Sequence, residues 1–347
     1  MTTRKVCYVR FRYSHHSPHS GYSRITEFGE KYLNSQIIPV DKPLSRRIIR
    51  DRMLWKIATG TPGYTRAAMA AELKIAWKAL TQSSRIYHIL YGETNYHYAG
   101  YFNGFRDNRV VATFHLPPDR LKKVLQIDWH LKQLAGIVCV GSNQVEYLSQ
   151  FVAREKLHLI PLGLDVDYYR PPASPDERDP NLCIVIGENY RDFATLRGVV
   201  ELTAYLRPQT RFVCVMSPKG FAKLGQHPNL ELRTGIPEDE LLHLYQTAAL
   251  MVLPFSDATA NNAVLESMGC ALPAVLSDLG AVRDYVTPES SALVPPFEAR
   301  AMAEKVIELL ENKSLRAEIG ARAREQALKF TWQNAIKQHQ AVYDSLP

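Results

Sequence analysis

Short apolar runs return along this chain at intervals filled by helix-like sequence, and no other feature restricts its fold so tightly. KVCYVRF, SRIYHIL, RVVATFH and GIVCVGS form a first series, and LCIVIGE, RFVCVMS, NLELRTG, ALMVLPF and LPAVLS a second. Such runs belong to strands covered on both faces, and strands that alternate with helices build parallel sheets with crossover helices. Between the two series lies IPLGLDVDYYRPPASPDERDPN (Ile160 to Asn181), whose Pro and Asp content marks a boundary. A chain of 347 residues is long enough for two cores. The expected organisation is an α/β domain over residues 1–160, a linker over 161–180, a second α/β domain over 181–329 and a closing helix over 330–347.

Composition narrows the setting. The five cysteines, Cys7, Cys139, Cys183, Cys214 and Cys270, are odd in number, lack C-x-x-C spacing and mostly fall in apolar runs, so they read as buried thiols in a reducing compartment. MTTRKVCYVRFRYS holds no apolar leader core and no stretch reaches the length of a membrane span, so a cytoplasmic location is expected. Charge is divided unevenly: residues 1–160 carry 24 Lys and Arg against 11 Asp and Glu, and the remainder 18 against 24. A basic half implies an anionic partner, with lipid head groups at the inner face of a membrane as first candidate. The densest patch is Asp41 to Ala58. Its apolar residues do not segregate as an interfacial helix would require, and a solvated basic face is an equal alternative. No nucleic-acid motif is present, and none of that partner class is expected.

One stretch speaks to chemistry. Ala249 to Asp278 reads ALMVLPFSDATANNAVLESMGCALPAVLSD, an apolar strand, a loop of small polar residues and a short helix carrying the single acid Glu266. Asp257, Asn261 and Asn262 are residue types that cap helix N-termini, where free amides and the positive dipole end receive phosphate. Glu266 follows Asn262 by four residues and shares its face, while Val264, Leu265, Met268 and Leu272 turn toward the sheet. A carboxylate so placed can accept hydrogen bonds from the two hydroxyls of a ribose whose diphosphate sits at the helix end. The plain alternative is a solvated acid on an amphipathic helix.

As a whole this stretch resembles the C-terminal nucleotide-binding motif of the retaining GT-B glycosyltransferases of family four, the glycosyl transferases group 1, with LESMGCALPAV the closest part. Ile160-Pro161-Leu162-Gly163-Leu164-Asp165 is similar to the family's Ile-Pro-x-Gly-x-Asp exit from its first domain, and FTWQNAIKQHQAVYDSL (Phe330 to Leu346) to its terminal helix. The resemblance implies two Rossmann-like α/β domains facing across a cleft, with the terminal helix crossing back to the first. It implies transfer of a sugar, with retention, from a nucleotide diphosphate sugar to a glycan, lipid-linked glycan or small molecule, with no cofactor beyond that co-substrate and no metal. By position in the motifs it implies that His115, after VATF, and Glu266 serve catalysis, and that Gly21, Arg191, Asn261, Asn262 and Glu266 hold the donor. Three places depart from the family: Ala258 stands where an acid contacts the donor sugar, Thr259, Ala260 and Asn261 stand for the Gly-Phe-Gly of the turn, and Asp192-Phe193 stands for a Lys-Gly that meets the phosphates. Lys219 is a candidate for the second positive charge, with a surface role the plainer reading. The loss at Ala258 keeps open a nucleotide-sugar binder or partner protein without turnover; an epimerase of the same shape would need an acid cluster that is not seen. Asp165-x-Asp167 is rejected as a metal pair because it opens a linker rather than ending a strand, and His15, His16 and His19 are too loosely placed to bind a metal.

Overall fold

A computed structural model describes residues 4–11, 18–40, 64–125 and 128–347. The basic segment Asp41 to Ala58, and His15 and His16, lie outside the described residues. The chain divides into two compact units, Met1–Gly163 with Trp332–Pro347, and Leu164–Thr331. From Leu164 onward the segment that joins the two series of strands is therefore not a free tether but part of the second unit.

The first unit is a six-stranded, wholly parallel sheet in the order β2-β1-β3-β4-β5-β6. Its strands are β1 Lys5–Arg10, β2 Ser35–Pro39, β3 Arg85–Ile89, β4 Arg109–Phe114, β5 Gly136–Cys139 and β6 Leu157–Leu159. All four residues of β5 and five of the six in β4 are buried, which is why these runs are apolar without alternation. The order reverses between β1 and β3, so the loops that leave those strands open a crevice at the carboxyl edge, where such sheets bind ligands.

The second unit repeats the plan in the order β12-β11-β10-β7-β8-β9, again all parallel. The strands are β7 Asp179–Ile186, β8 Arg211–Val215, β9 Leu230–Arg233, β10 Ala248–Leu253, β11 Ala274–Ser277 and β12 Ala292–Val294. Counted from β7, this is the doubly wound Rossmann order, with its switch point between β7 and β10. NLELRTG supplies the edge strand β9, half exposed, which explains its mixture of Leu with Glu and Arg.

The connector is fastened by carbonyl groups. Arg324 donates to the carbonyls of Tyr169 (2.8 Å), Gly269 (2.8 Å) and Val166 (3.1 Å), and Arg178 to those of Tyr245, Ala248, Cys270 and Ala271. Both guanidiniums satisfy chain that leaves regular structure, where a buried carbonyl without a donor would be costly.

The terminal helix Trp332–Ser345 belongs to the first unit and is seated there by a buried polar chain. At its start Trp332 fills a site that only glycine leaves open, since a Cβ on Gly163 would lie 2.3 Å from the indole. Further along, His339 Nδ1 lies 2.7 Å from the Ala335 carbonyl, which can only accept, so that nitrogen carries the proton and Nε2 accepts from the Tyr22 hydroxyl at 2.8 Å. Tyr22 oxygen then accepts from Thr113 Oγ1 (2.9 Å), Thr113 accepts from His88 Nε2 (2.7 Å), and His88 Nδ1 accepts from the Tyr343 hydroxyl (2.6 Å). Every hydrogen in the chain has one consistent place when both imidazoles are neutral. Burial holds them so, keeping His88 well below the usual histidine range and His339 down at about 4.

A sign follows for stability. Between the ordinary histidine value near pH 6.5 and the folded value near 4, the unfolded chain binds the proton that folded His339 refuses, so stability present above about pH 6.5 is lost as pH falls toward 4, by roughly 3 kcal/mol for this residue alone. The second unit, Leu164–Thr331, contains no tryptophan, and Trp77, Trp129 and Trp332 lie in the first, so tryptophan fluorescence follows the first unit's unfolding. Urea midpoints measured by that signal are expected to fall between pH 6.5 and 4, with a shallower fall in His339→Gln.

Candidate nucleotide-sugar site

At the switch point of the second unit the loops after β7 and β10 are sewn together. Asp192 N–H donates to the Pro254 carbonyl (3.0 Å), Ser256 N–H to the Tyr190 carbonyl (2.9 Å), and Arg191 pairs with Phe255 in an antiparallel bridge. The first loop turns sharply, with Gly187 at φ +76° and Tyr190 at φ +56°, the latter a left-handed conformation that costs a non-glycine residue about 1 kcal/mol. Its effect is to fold Arg191 inward.

Arg191 is 6% exposed. Its Nη2 donates to the Ile186 carbonyl (2.6 Å), its Nη1 to the Asn189 carbonyl (3.1 Å), and its guanidinium lies 4.8 Å from the Phe255 ring centre. Burial lowers its pKa to about 10, which leaves it charged at neutral pH. No carboxylate pairs with it among the described residues, and its buried Nε has no hydrogen-bond partner. A buried cation held only by carbonyl dipoles and one ring is costly to keep unless an anion shares its site.

The helix Asn262–Gly269 begins after the second loop. Asn261 is its N-cap, and its Oδ1 accepts from Val264 N–H (3.3 Å), so this side chain is engaged with the helix itself. Asn262 is exposed at the first helical position. The amides of the opening turn have no intrahelical acceptor by geometry. Asp257 accepts from the Ala258 amide (2.8 Å), and Ala258 is buried with its carbonyl against Gly280, where a Cβ would come within 2.4 Å.

Glu266 is not the solvated acid of the plain reading. It is 5% exposed, and its Oε2 accepts from the Tyr245 hydroxyl at 2.7 Å. Tyr245, wholly enclosed, has its pKa pushed well up by burial and next by the Glu266 charge, so it stays a donor. The face shared by Asn262 and Glu266 thus runs from an exposed end into a buried one, with the carboxylate oriented before any ligand arrives. Asp192 explains one departure from the family pattern: it caps the helix Phe193–Leu206, its Oδ1 accepting from the amides of Ala194 and Thr195, both at 3.1 Å. Lys219 is exposed on the helix Pro218–Leu224.

Gly21 and His115 belong to the first unit. Gly21 has φ +94° and ψ 154°, a conformation open to glycine and strained for other residues, and it precedes the short helix Tyr22–Arg24. His115 follows β4 at the carboxyl edge. Its Nε2 donates to the Leu90 carbonyl (2.8 Å), its amide to Glu93 Oε1 (3.3 Å), and its ring meets Tyr22 edge-on at 4.6 Å and Tyr91 at 4.7 Å. Glu93 is buried beneath it, and burial raises its pKa to about 7 against the opposing amides. Tyr22, Tyr91, Glu93 and Tyr245 are absent from the motif reading. They contact the candidate residues from distant points of the chain, and no spacing links Tyr245 to Glu266 or Tyr22 to His115. Asp165 accepts from the Tyr168 amide (3.2 Å), the role of a turn residue.

Residues 220–326 match the family model described as glycosyl transferases group 1. The chain is 26% identical over 227 residues to an MMP alpha-(1->4)-mannosyltransferase of Mycolicibacterium hassiacum, covering 61% of this chain and 54% of that protein. It is 22% identical over 257 residues to a D-inositol 3-phosphate glycosyltransferase of Jonesia denitrificans, covering 65% and 61%. The matches thus span little more than half the length of these curated relatives. Among solved structures, sucrose-phosphate synthase of Thermosynechococcus elongatus superimposes with a TM-score of 0.72 at 16% identity, covering 99% of each chain. Anabaena HepE in complex with UDP gives 0.69 at 12% identity, covering 99% of this chain and 100% of the other. These two likenesses speak for the fold. With two parallel Rossmann-type sheets and the motif helix at the switch point of the second, the chain has the GT-B fold, and over residues 220–326 it is similar to the glycosyl transferases group 1.

Proposed function

We propose that the protein transfers a sugar from a nucleotide diphosphate sugar to a hydroxyl acceptor, with retention at the anomeric carbon. The observation that carries this reading is the buried Arg191 guanidinium without a carboxylate partner, in a loop hydrogen-bonded to the one that leads into the helix Asn262–Gly269. Negative charge that develops on a leaving diphosphate would meet a cation and the opening amides of that helix, both fixed in advance. Glu266, held by Tyr245, would take the ribose hydroxyls. His115 would orient the sugar, and the leaving phosphate would accept the acceptor's proton, so no side chain is assigned as base. The mannosyltransferase relative supports a hexose as the transferred group.

A second reading is favoured by one observation. Ala258 packs tightly against Gly280, leaving no carboxylate at the family's acidic position, as expected of a protein that binds a nucleotide sugar without turning it over. Incubation with a panel of UDP-, GDP- and ADP-sugars separates the two: release of nucleoside diphosphate supports transfer, saturable binding without release supports the second reading, and neither sinks both.

Two substitutions probe the site by calorimetric titration with the cognate nucleoside diphosphate. Glu266→Gln keeps an acceptor for Tyr245 but loses charge-assisted bonds worth roughly 1.5 to 3 kcal/mol each, so affinity is expected to fall at least tenfold. Arg191→Met is expected to weaken the diphosphate about a hundredfold while the bare nucleoside binds as before. Equal losses for both ligands would show Arg191 to be structural only.

Removal of metal gives an independent check. Since in this reading Arg191 and a helix terminus would neutralise the diphosphate in place of a metal, donor turnover is expected to persist in excess EDTA. Loss restored by manganese would refute this account of the phosphate site.

A further inference from the structure

The helix Arg66–Thr81 of the first unit has two unlike faces. Ala68, Ala71, Ile75 and Ala79 are buried in the core under the sheet. Leu73, Trp77 and Leu80, at the i, i+4, i+7 positions of the opposite face, are 52%, 70% and 51% exposed. Two short helices pack against it, Ala99–Phe102 and Phe105–Asp107, and they carry Tyr101 and Phe105, also exposed. The join is rigid: Glu72, the helix's only acid, is buried and accepts the amides of His97 (2.8 Å), Tyr98 (2.7 Å) and Ala99 (2.8 Å). Among the described residues of this unit, five of the seven large exposed apolar side chains thus lie on one structural block, Tyr32 and Leu159 being the other two, whereas isolated ones would need no explanation.

Charge around this block has one sign on the helix. Arg66, Lys74 and Lys78 are its ionised residues apart from the buried Glu72. Lys74 reaches the Pro39 carbonyl, and neither lysine pairs with a carboxylate among the described residues. Leu, Trp and Tyr beside lysines on a folded surface are the side chains that enter the head-group layer of a bilayer, the rings and leucines reaching the acyl boundary and the ammonium groups remaining with anionic lipid phosphates.

We propose that the face of Leu73, Trp77 and Leu80, with Lys74 and Lys78, docks the protein on the surface of a membrane that contains anionic lipid. The surface differs from Asp41 to Ala58, and it does not depend on the proposed reaction. Lipid binding can be measured whether or not a sugar donor turns over.

Flotation of the full chain with vesicles of phosphatidylcholine containing 30 mol% phosphatidylglycerol, at about 20 mM salt, tests it. Co-flotation is expected, falling sharply toward 150 mM salt as exposed charges are screened over about 8 Å. Replacing Leu73, Trp77 and Leu80 together by serine is expected to reduce partitioning at least tenfold, with melting temperature unchanged because these side chains are exposed. Lys74→Glu with Lys78→Glu is expected to reduce it comparably, while wild-type protein stays unbound on pure phosphatidylcholine. Brominated lipid should quench the wild-type tryptophan signal more than that of Trp77→Phe, a variant too mild to threaten folding. The proposal is overturned if wild-type protein fails to float on the anionic vesicles. It is also overturned if the triple variant floats as well as wild type while neutralising Arg46, Arg47, Arg50 and Arg52 abolishes binding. A third refutation is sedimentation showing a lipid-free dimer that the triple variant dissolves, since the face would then belong to a second copy of the chain.

Discussion

A parallel sheet delivers the carboxyl end of every strand to one edge, and each functional group discussed above depends on that delivery. Parallel pairing requires crossover helices, the helices cover both faces, and so the strands must be apolar on both. Polar chemistry is thereby expelled to the loops at the edge, and the switch point decides which loops meet. In the second unit those are the loops after β7 and β10, joined by backbone hydrogen bonds and by the Arg191–Phe255 contact. In the first, the reversal falls between β1 and β3, close to where Leu90, Tyr91 and Glu93 surround His115.

The architecture was legible because burial on both faces writes itself into sequence as unbroken apolar runs. All nine runs quoted at the outset contain strands, and the motif helix appears as Asn262–Gly269. The edge strands β2, β6 and β12, SQIIP, LHL and ALV, escaped that reading because they are short and only partly buried, which leaves almost no unbroken apolar pattern. The connector was legible as a boundary in composition, but composition carries no trace of Arg178 and Arg324 gripping carbonyls that are distant in sequence.

The site was legible in part, and for a physical reason. Helix spacing put Asn262 and Glu266 on one face, yet spacing does not say how deep a face is buried. That depth is set by Tyr245, donated by the helix before β10. Asp192 looked like a lost phosphate ligand and is a helix cap, a role that the string Asp-Phe-Ala-Thr permits but does not demand. Arg191 lies in the loop after β7, and its inward turn rests on the left-handed Tyr190, which no residue pattern announces.

The hydrogen-bonded chain from Ala335 through His339, Tyr22, Thr113 and His88 to Tyr343 has a consequence for how the protein is made. Its members come from both ends of the first unit, with the whole of the second unit translated in between. On the ribosome, Tyr22, Thr113 and His88 emerge long before the helix that completes their hydrogen bonding, and the Gly163 groove must wait equally long for Trp332. The second unit, continuous from Leu164 to Thr331, can close on itself first. Vectorial synthesis thus reverses the order of the chain: the unit begun first is finished last, and a pause or truncation anywhere before Trp332 leaves it with buried polar groups unpaired and an apolar groove open to solvent.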